Sequence, residues 1–130
     1  MEIDLRESWL IDSVEVPTRL VLAPMAGVSV QAFRRQGRRY GAGLVCSEMV
    51  SCAGIEHRNE KTLGYLRVAS DEHPLAIQIF GADPFAMGEA ARMVEAVWTA
   101  LKFDPAGLYT IFGGHQPTLG DLDRTEGFLR

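Results

Sequence analysis

The chain has 130 residues, of which 47% are hydrophobic and 23% charged, the usual balance of one globular domain. Its formal net charge of -4 and its sequence pI near 5.3 argue against a protein that coats nucleic acid nonspecifically. The apolar runs are far shorter than the ~20 residues that a membrane span needs, and the acidic start does not have the order of a signal peptide. Because no targeting segment is visible and a reducing compartment suits the two cysteines, we expect a cytoplasmic protein. The cysteines lack metal-ligand spacing, so we expect no metal site.

The first elements in chain order are a lead-in, a strand and a tight loop. Residues 1–19 are predicted to be irregular, with room for a short edge strand because Pro17 interrupts an alternating pattern. Leu20–Ala23 predicts the first strand, and its continuous apolar character is typical of a strand covered on both faces. The small residues of Ala23–Gly27 then predict a turn.

A helix is predicted over Val30–Tyr40, with the Ser29 hydroxyl capping its first turn and with Phe33 and Tyr40 facing the sheet. This helix carries four arginines close together. They form either a solvated face or a basic patch that contacts phosphate groups, and both interpretations stay open at this point: Arg34, Arg35, Arg38 and Arg39.

The second strand is predicted at Leu44–Ser47, which places Glu48 at its C-terminal end. Glu48 is either an exposed acid at a strand end or a working side chain, because barrel enzymes present such groups there. Cys46 is expected to be a small buried residue and Cys52 to lie in an exposed part of a loop. A long connection over residues 50–73 follows, with helical turns predicted near residues 51–56 and 61–66.

The third strand is predicted at Leu75–Phe80, with the polar Gln78 in its middle. Such a residue needs partners, either among its neighbours or in a ligand. Asp83 and Pro84 are the expected cap and first residue of a helix that continues to about Lys102. A fourth strand, Leu108–Phe112, and a short helix over residues 121–129 complete the pattern of a parallel α/β sheet.

Three blocks of the chain together resemble a known family. They are LAPMAGVSVQAFRRQGRRYGAGLVCSEMVSCAG from Leu22, NEKT at 59–62, and PLAIQIFGADPFAMGEAARMVEA from Pro74. In this order and spacing they resemble the N-terminal part of tRNA-dihydrouridine synthases, over residues 20–96. The resemblance implies part of a (β/α)8 TIM barrel, with about three to four parallel strands, that binds FMN at the C-terminal mouth. It also implies that NADPH reduces the flavin, which then reduces a uridine in tRNA.

The resemblance also implies roles for individual residues. Pro24, Met25 and Ala26 would approach the flavin ring, and Gln78 would bond its polar edge. Two further residues, Glu48 and Asn59, would lie near the mouth of the barrel, and Lys61 would meet the substrate RNA. The family's catalytic cysteine would lie beyond the matching region, so no catalytic residue is assigned here.

Residues 97–130 do not continue the family pattern, and Val30 stands where the family usually has an acid. We therefore expect a single truncated barrel portion, with residues 1–19 as lead-in and 97–130 as a divergent tail, that is inactive alone. Two other functions stay open. In one, the chain is a non-catalytic α/β module that associates with itself or a partner through open sheet edges. In the other, it is a small RNA-binding fragment that uses the four arginines and Lys61.

Overall fold

A computed structural model of the chain describes residues 4–100 and 108–112. It begins with an antiparallel hairpin, in which β1 (Trp9–Ile11) pairs with β2 (Val14–Val16). Asp12 lies in the turn between them with φ 51°, a left-handed conformation that Asp tolerates better than most residues. Within the lead-in, predicted to be irregular with room for a short edge strand, residues 9–16 thus form an ordered hairpin.

Four parallel strands form the main sheet, and they are hydrogen-bonded in the order in which they occur in the chain. Consecutive order without reversal is the arrangement of a barrel sector, whereas doubly wound sheets reverse direction at a switch point. This confirms the predicted fold class, a partial barrel-type α/β sheet. The strands are β3 (Val21–Leu22), β4 (Leu44–Ser51), β5 (Leu75–Phe80) and β6 (Leu108–Phe112).

Helices connect each strand to the next. The helix α1 (Gln31–Arg39) joins β3 to β4, and α4 (Pro84–Ala100) joins β5 to β6. Between β4 and β5 lie three short elements: α2 (Cys52–Glu56), α3 (Glu60–Gly64) and a 3-10 turn (Ser70–Glu72). Among the described helices, none has the length and apolar composition required to cross a membrane.

The sheet has a different apolar layer on each face. On the helix face, Leu75, Ile77 and Ile79 of β5 pack with residues of α2 and α4. On the opposite face, Leu44, Cys46 and Ala76 pack with the hairpin, whose Val16 is fully buried. The hairpin therefore covers the first residues of β4 and β5 and leaves their C-terminal ends to other contacts.

A β-bulge divides β4 between these two layers. The pairs Cys46–Ala76 and Met49–Gln78 are three residues apart in β4 but two in β5, so β4 contains one extra residue at Ser47–Glu48. Without it, Cys46 and Val50 would share a face, yet Val50 packs in the helix-side layer. The bulge thus changes which side chains face each layer at the point where Glu48 emerges.

Several expectations for the first half of the chain were wrong. The strand β3 lies at the sheet edge with Val21 about half exposed, so it is not covered on both faces. The second strand continues to Ser51, four residues beyond the predicted end, because the bulge hides its alternation. Tyr40 is 85% exposed and does not face the sheet. The residue at the N-cap of α1 is Val30, and the Ser29 hydroxyl accepts instead from the backbone N–H of Met25.

Other expectations are confirmed. The backbone N–H of Phe85 donates to Asp83 Oδ1 over 2.8 Å, and Pro84 is the first residue of α4. The helical turns predicted in the long connection correspond to α2 and α3. The fourth strand, β6, pairs with β5 along its whole length. The predicted helix over residues 121–129 and the end of the helix predicted to Lys102 lie outside the described residues.

Candidate functional site

The loop between β3 and α1 is a tight turn closed on Met25. The carbonyl oxygen of Met25 accepts from the backbone N–H groups of Val28 and Ser29, over 3.0 and 2.9 Å. Gly27 has φ +77°, a conformation that L side chains rarely adopt, so glycine suits this position. No atom lies within 4 Å of the place a Cβ would occupy at Gly27, so there is open space beside the backbone there.

Glu48 reaches this loop from the neighbouring strand. Its Oε2 accepts from the backbone N–H of Gly27 over 3.0 Å. The residue is only 5% exposed and lies inside β4, so the interpretation of an exposed strand-end acid was wrong. Its second oxygen, Oε1, is buried and has no hydrogen-bond partner among the described residues. One carboxylate thus holds the loop through one oxygen and keeps a second, buried acceptor without a partner among the described residues.

Gln78 presents a second open acceptor on the next strand. Its backbone N–H donates to Ser47 Oγ over 2.9 Å, and the Ser47 hydroxyl donates to the Glu48 carbonyl over 2.7 Å. Its side-chain Oε1 is buried and, within the described part of the chain, has no partner. A buried acceptor left alone costs about 1–3 kcal/mol. Two such atoms in the C-terminal halves of adjacent parallel strands indicate a site for a ligand with N–H or O–H donors.

Asn59 and Lys61 lie apart from this arrangement. Asn59 is the N-cap of α3, and its Oδ1 accepts from the backbone N–H of Thr62 over 3.1 Å. Lys61 is exposed in the same helix. Among the described residues, no hydrogen bond or ion pair joins either side chain to the loop or to Glu48. Hydrogen bonds thus connect the loop to Glu48 through Gly27 and connect Gln78 to the neighbouring Ser47, whereas Asn59 and Lys61 have no such link within the described residues.

The arginine cluster is divided between surface and interior, which sequence reasoning missed. Arg35 and Arg39 are exposed, as the solvated-face interpretation expects. Arg38 is half-buried and donates to three carbonyl groups, of Ala42, Gly43 and His73, at 2.6–2.7 Å. Burial lowers the pKa of its guanidinium. Arg34 is fully buried, so a phosphate patch made of all four arginines is excluded.

Both cysteines are buried. Cys46 is 1% exposed, as expected, but Cys52 is 3% exposed and begins α2, so the expectation of an exposed loop cysteine was wrong. Burial raises the pKa of both thiols, and a hydrogen bond from a backbone group opposes this at Cys52. Neither thiol is exposed, so neither can reach a ligand outside the core in this conformation. Over the described ranges, no cluster of three or more His, Cys, Asp or Glu side chains could hold a metal ion.

The fold and the site define an α/β protein of the barrel type, with polar groups for a ligand in the C-terminal halves of its strands. The sequence model of the family described as Dihydrouridine synthase (Dus) matches residues 21–104. The chain belongs to the dihydrouridine synthase family. This match covers nearly all of residues 20–96, where the motifs occur, and continues past Ala96 into the divergent segment.

Curated proteins with similar sequences agree with this family. The chain is 43% identical over 77 residues to tRNA-dihydrouridine synthase B of Pseudomonas aeruginosa, which covers 59% of this chain and 23% of that protein. It is 36% identical over 86 residues to a probable tRNA-dihydrouridine synthase of Rickettsia bellii, covering 65% and 26%. It is 37% identical over 82 residues to tRNA-dihydrouridine synthase B of Vibrio cholerae, a match that covers 63% of this chain and 26% of that protein. The chain thus spans about a quarter of the length of these relatives.

Proposed function

We propose that this chain forms part of the FMN site of a tRNA-dihydrouridine synthase, an oxidoreductase that uses NADPH to reduce uridine in tRNA to 5,6-dihydrouridine. The observation that carries the proposal is a pair of buried oxygens on adjacent strands that have no partner among the described residues, Glu48 Oε1 and Gln78 Oε1. A flavin fits them, because its ring has an imide N–H and its ribityl chain has hydroxyl groups. When bound, the flavin supplies hydride transfer.

The loop residues form one wall of this site. Pro24, Met25 and Ala26 approach the ring through backbone and small or flexible side chains, and Gly27 leaves the backbone accessible. Gln78 binds the polar edge of the ring. Glu48 holds the loop through Gly27 and offers its second oxygen to the cofactor. These residues bind and orient the flavin, and none of them has a role in proton transfer.

We assign contact with the substrate to α3 and its N-cap. Lys61 is exposed and carries a charge that attracts the RNA backbone, and Asn59 lies next to it in the same turn. A role in tRNA modification agrees with a cytoplasmic location, which stays a prediction. With Cys46 and Cys52 both buried, we expect the 130-residue chain to bind flavin without turning over NADPH and tRNA.

A flavin titration tests the proposal. FMN fluorescence and its visible spectrum are followed as the full chain is added, for wild type and for Gln78→Leu. The variant replaces the open amide by an apolar group of similar size, so we expect affinity to fall by about tenfold or more. Gln36→Leu, a glutamine exposed on α1, is the matched control and should leave affinity unchanged. No flavin binding by the wild type, or equal affinity of wild type and Gln78→Leu, would contradict the proposal.

A non-catalytic module that associates through its sheet edge is the second candidate. The observation that favours it is edge strand β3, where Val21 is about half exposed and Leu20 lies beside it. The pairing of β6 with β5 agrees with both candidates, since a barrel sector and a self-contained sheet each need it. Sedimentation of the chain over a range of concentrations separates them: a monomer at all concentrations excludes self-association.

A further inference from the structure

A buried ion pair joins α1 to the 3-10 turn. Arg34 Nε lies 2.6 Å from Glu72 Oε2, and the two side chains are 2% and 0% exposed. Removing two charges from water costs several kcal/mol per ion, which their mutual attraction often only just offsets. Such a pair is therefore weak evidence for stability, and its other contacts indicate what it does.

Those contacts link the pair to the loop. Arg34 Nη1 donates to the carbonyl of Ser29 over 2.7 Å, and Nη2 donates to the carbonyl of Arg67 over 3.4 Å. The second oxygen of Glu72 accepts from the backbone N–H of Ala69 over 2.7 Å. The fixed fork of the guanidinium can serve Glu72 and Ser29 together, which a single ammonium group cannot do with the same geometry.

Ser29 passes this constraint to the cofactor loop. It is fully buried, and its Oγ accepts from the backbone N–H of Met25 over 2.7 Å. Its own backbone N–H donates to the Met25 carbonyl over 2.9 Å. One end of the turn is thus held by Arg34 through Ser29, while Glu48 holds its middle through Gly27.

We propose that Arg34 and Glu72 are positioning residues for the Met25–Ser29 loop, and through it for the flavin. The part that concerns the flavin rests on the proposed function, whereas the part that concerns the loop does not. Glu72 fixes the guanidinium, the guanidinium fixes the Ser29 carbonyl, and the Ser29 hydroxyl orients the Met25 amide. The loop is then preorganised before a ligand arrives, which lowers the entropy cost of binding.

Amide hydrogen exchange on the full chain without ligand tests the loop directly. In Arg34→Lys and Glu72→Gln we expect the N–H groups of Met25 and Gly27 to exchange about tenfold faster or more, as the loss of one hydrogen bond predicts. Exchange in β4 and β5 should stay at the wild-type rate. FMN affinity, measured by fluorescence, should fall by a similar factor in both variants.

A second ion pair between the same two elements provides the matched control. Arg35 Nε lies 2.9 Å from Asp71 Oδ2, and both side chains are about half exposed. Neither has a described contact with the loop, so Arg35→Lys and Asp71→Asn should change neither loop exchange nor FMN affinity.

Three results would overturn the proposal. Loop exchange could be unchanged in both interior variants, it could rise by the same factor as exchange in β4 and β5, or the control variants could produce the same rise. If Glu72→Gln does not fold, Arg34→Lys decides, because it retains a positive charge beside Glu72. If the wild type binds no FMN, the proposed function fails, while the exchange rates still decide whether the pair orders the loop.

Discussion

The packing of the N-terminal segment against β4 depends on Gly43, and Gly43→Ala tests that dependence. A Cβ at this position would lie 2.3 Å from the Thr18 carbonyl oxygen and 2.7 Å from the Thr18 nitrogen. Real Cβ atoms essentially never approach other atoms to less than 3.0 Å, and here the obstacle is backbone. The Thr18 segment must therefore move away from the sheet.

Two hydrogen bonds are disturbed by that movement. Thr18 O accepts from Trp9 Nε1 over 3.1 Å, and Thr18 Oγ1 donates to the Gly41 carbonyl over 2.8 Å. Overpacking costs about 1–3 kcal/mol, and each lost hydrogen bond costs about 1 kcal/mol. We expect Gly43→Ala to lower the free energy of unfolding by about 2–4 kcal/mol, allowing for partial relaxation.

Urea denaturation followed by circular dichroism measures this loss. With a slope of about 1–3 kcal/mol per molar urea, the midpoint should fall by about 1 M or more. Gly64→Ala is the control, because Gly64 lies in α3 with no atom within 4 Å of a Cβ. That change should stabilise by about 0.5–1 kcal/mol, the helical preference of alanine over glycine. Equal midpoints for the two variants, or a wild-type midpoint for Gly43→Ala, would refute the reasoning.

Two further predictions concern α4 and the thiols. Asp83→Ala removes the acceptor for the Phe85 N–H and should cost about 1 kcal/mol of stability, whereas Asp83→Asn should stay close to wild type. Thermal melting of the two variants checks this, and an equal loss of stability in both would contradict it. Because burial raises the pKa of Cys46 and Cys52, their stabilising contribution is complete below the unfolded thiol pKa of about 8.5 and is lost as pH rises towards the folded values. Urea midpoints should fall from pH 8 to pH 10, and Ellman's reagent should react slowly with the folded chain at pH 8; immediate reaction of both thiols would oppose this prediction.

Elements with strong local signals were predictable from the sequence. Asp83 and Pro84 mark the start of α4 because capping is decided within one turn of chain. β5 and β6 are short apolar runs bounded by turn residues. The end of β4 could not be predicted, because the bulge at Ser47–Glu48 changes the face of later residues and breaks the two-residue period. Ser29 was assigned to the helix cap, but its hydroxyl accepts from the Met25 N–H, which local sequence cannot distinguish from a cap.

The candidate site was predictable only in part. The resemblance indicated the loop and Gln78, whereas the four arginines look alike in sequence and differ only in what packs against them. Arg34 meets an acid 38 residues later in the chain, and no local pattern reports that contact. One signal was present: the adjacent pair Arg34-Arg35 is matched by the adjacent pair Asp71-Glu72, one partner inside and one outside.

The side chains that hold the loop in place differ from the loop side chains that a ligand would meet. Three side chains hold the loop: Glu48, Ser29 and Arg34. Within the loop, they form hydrogen bonds only with backbone atoms. Met25 and Ala26 are exposed, and the described hydrogen bonds of the loop involve only backbone atoms of Met25. Substitutions at these two positions can therefore change the size and polarity of the wall that a ligand meets while the path of the chain stays the same.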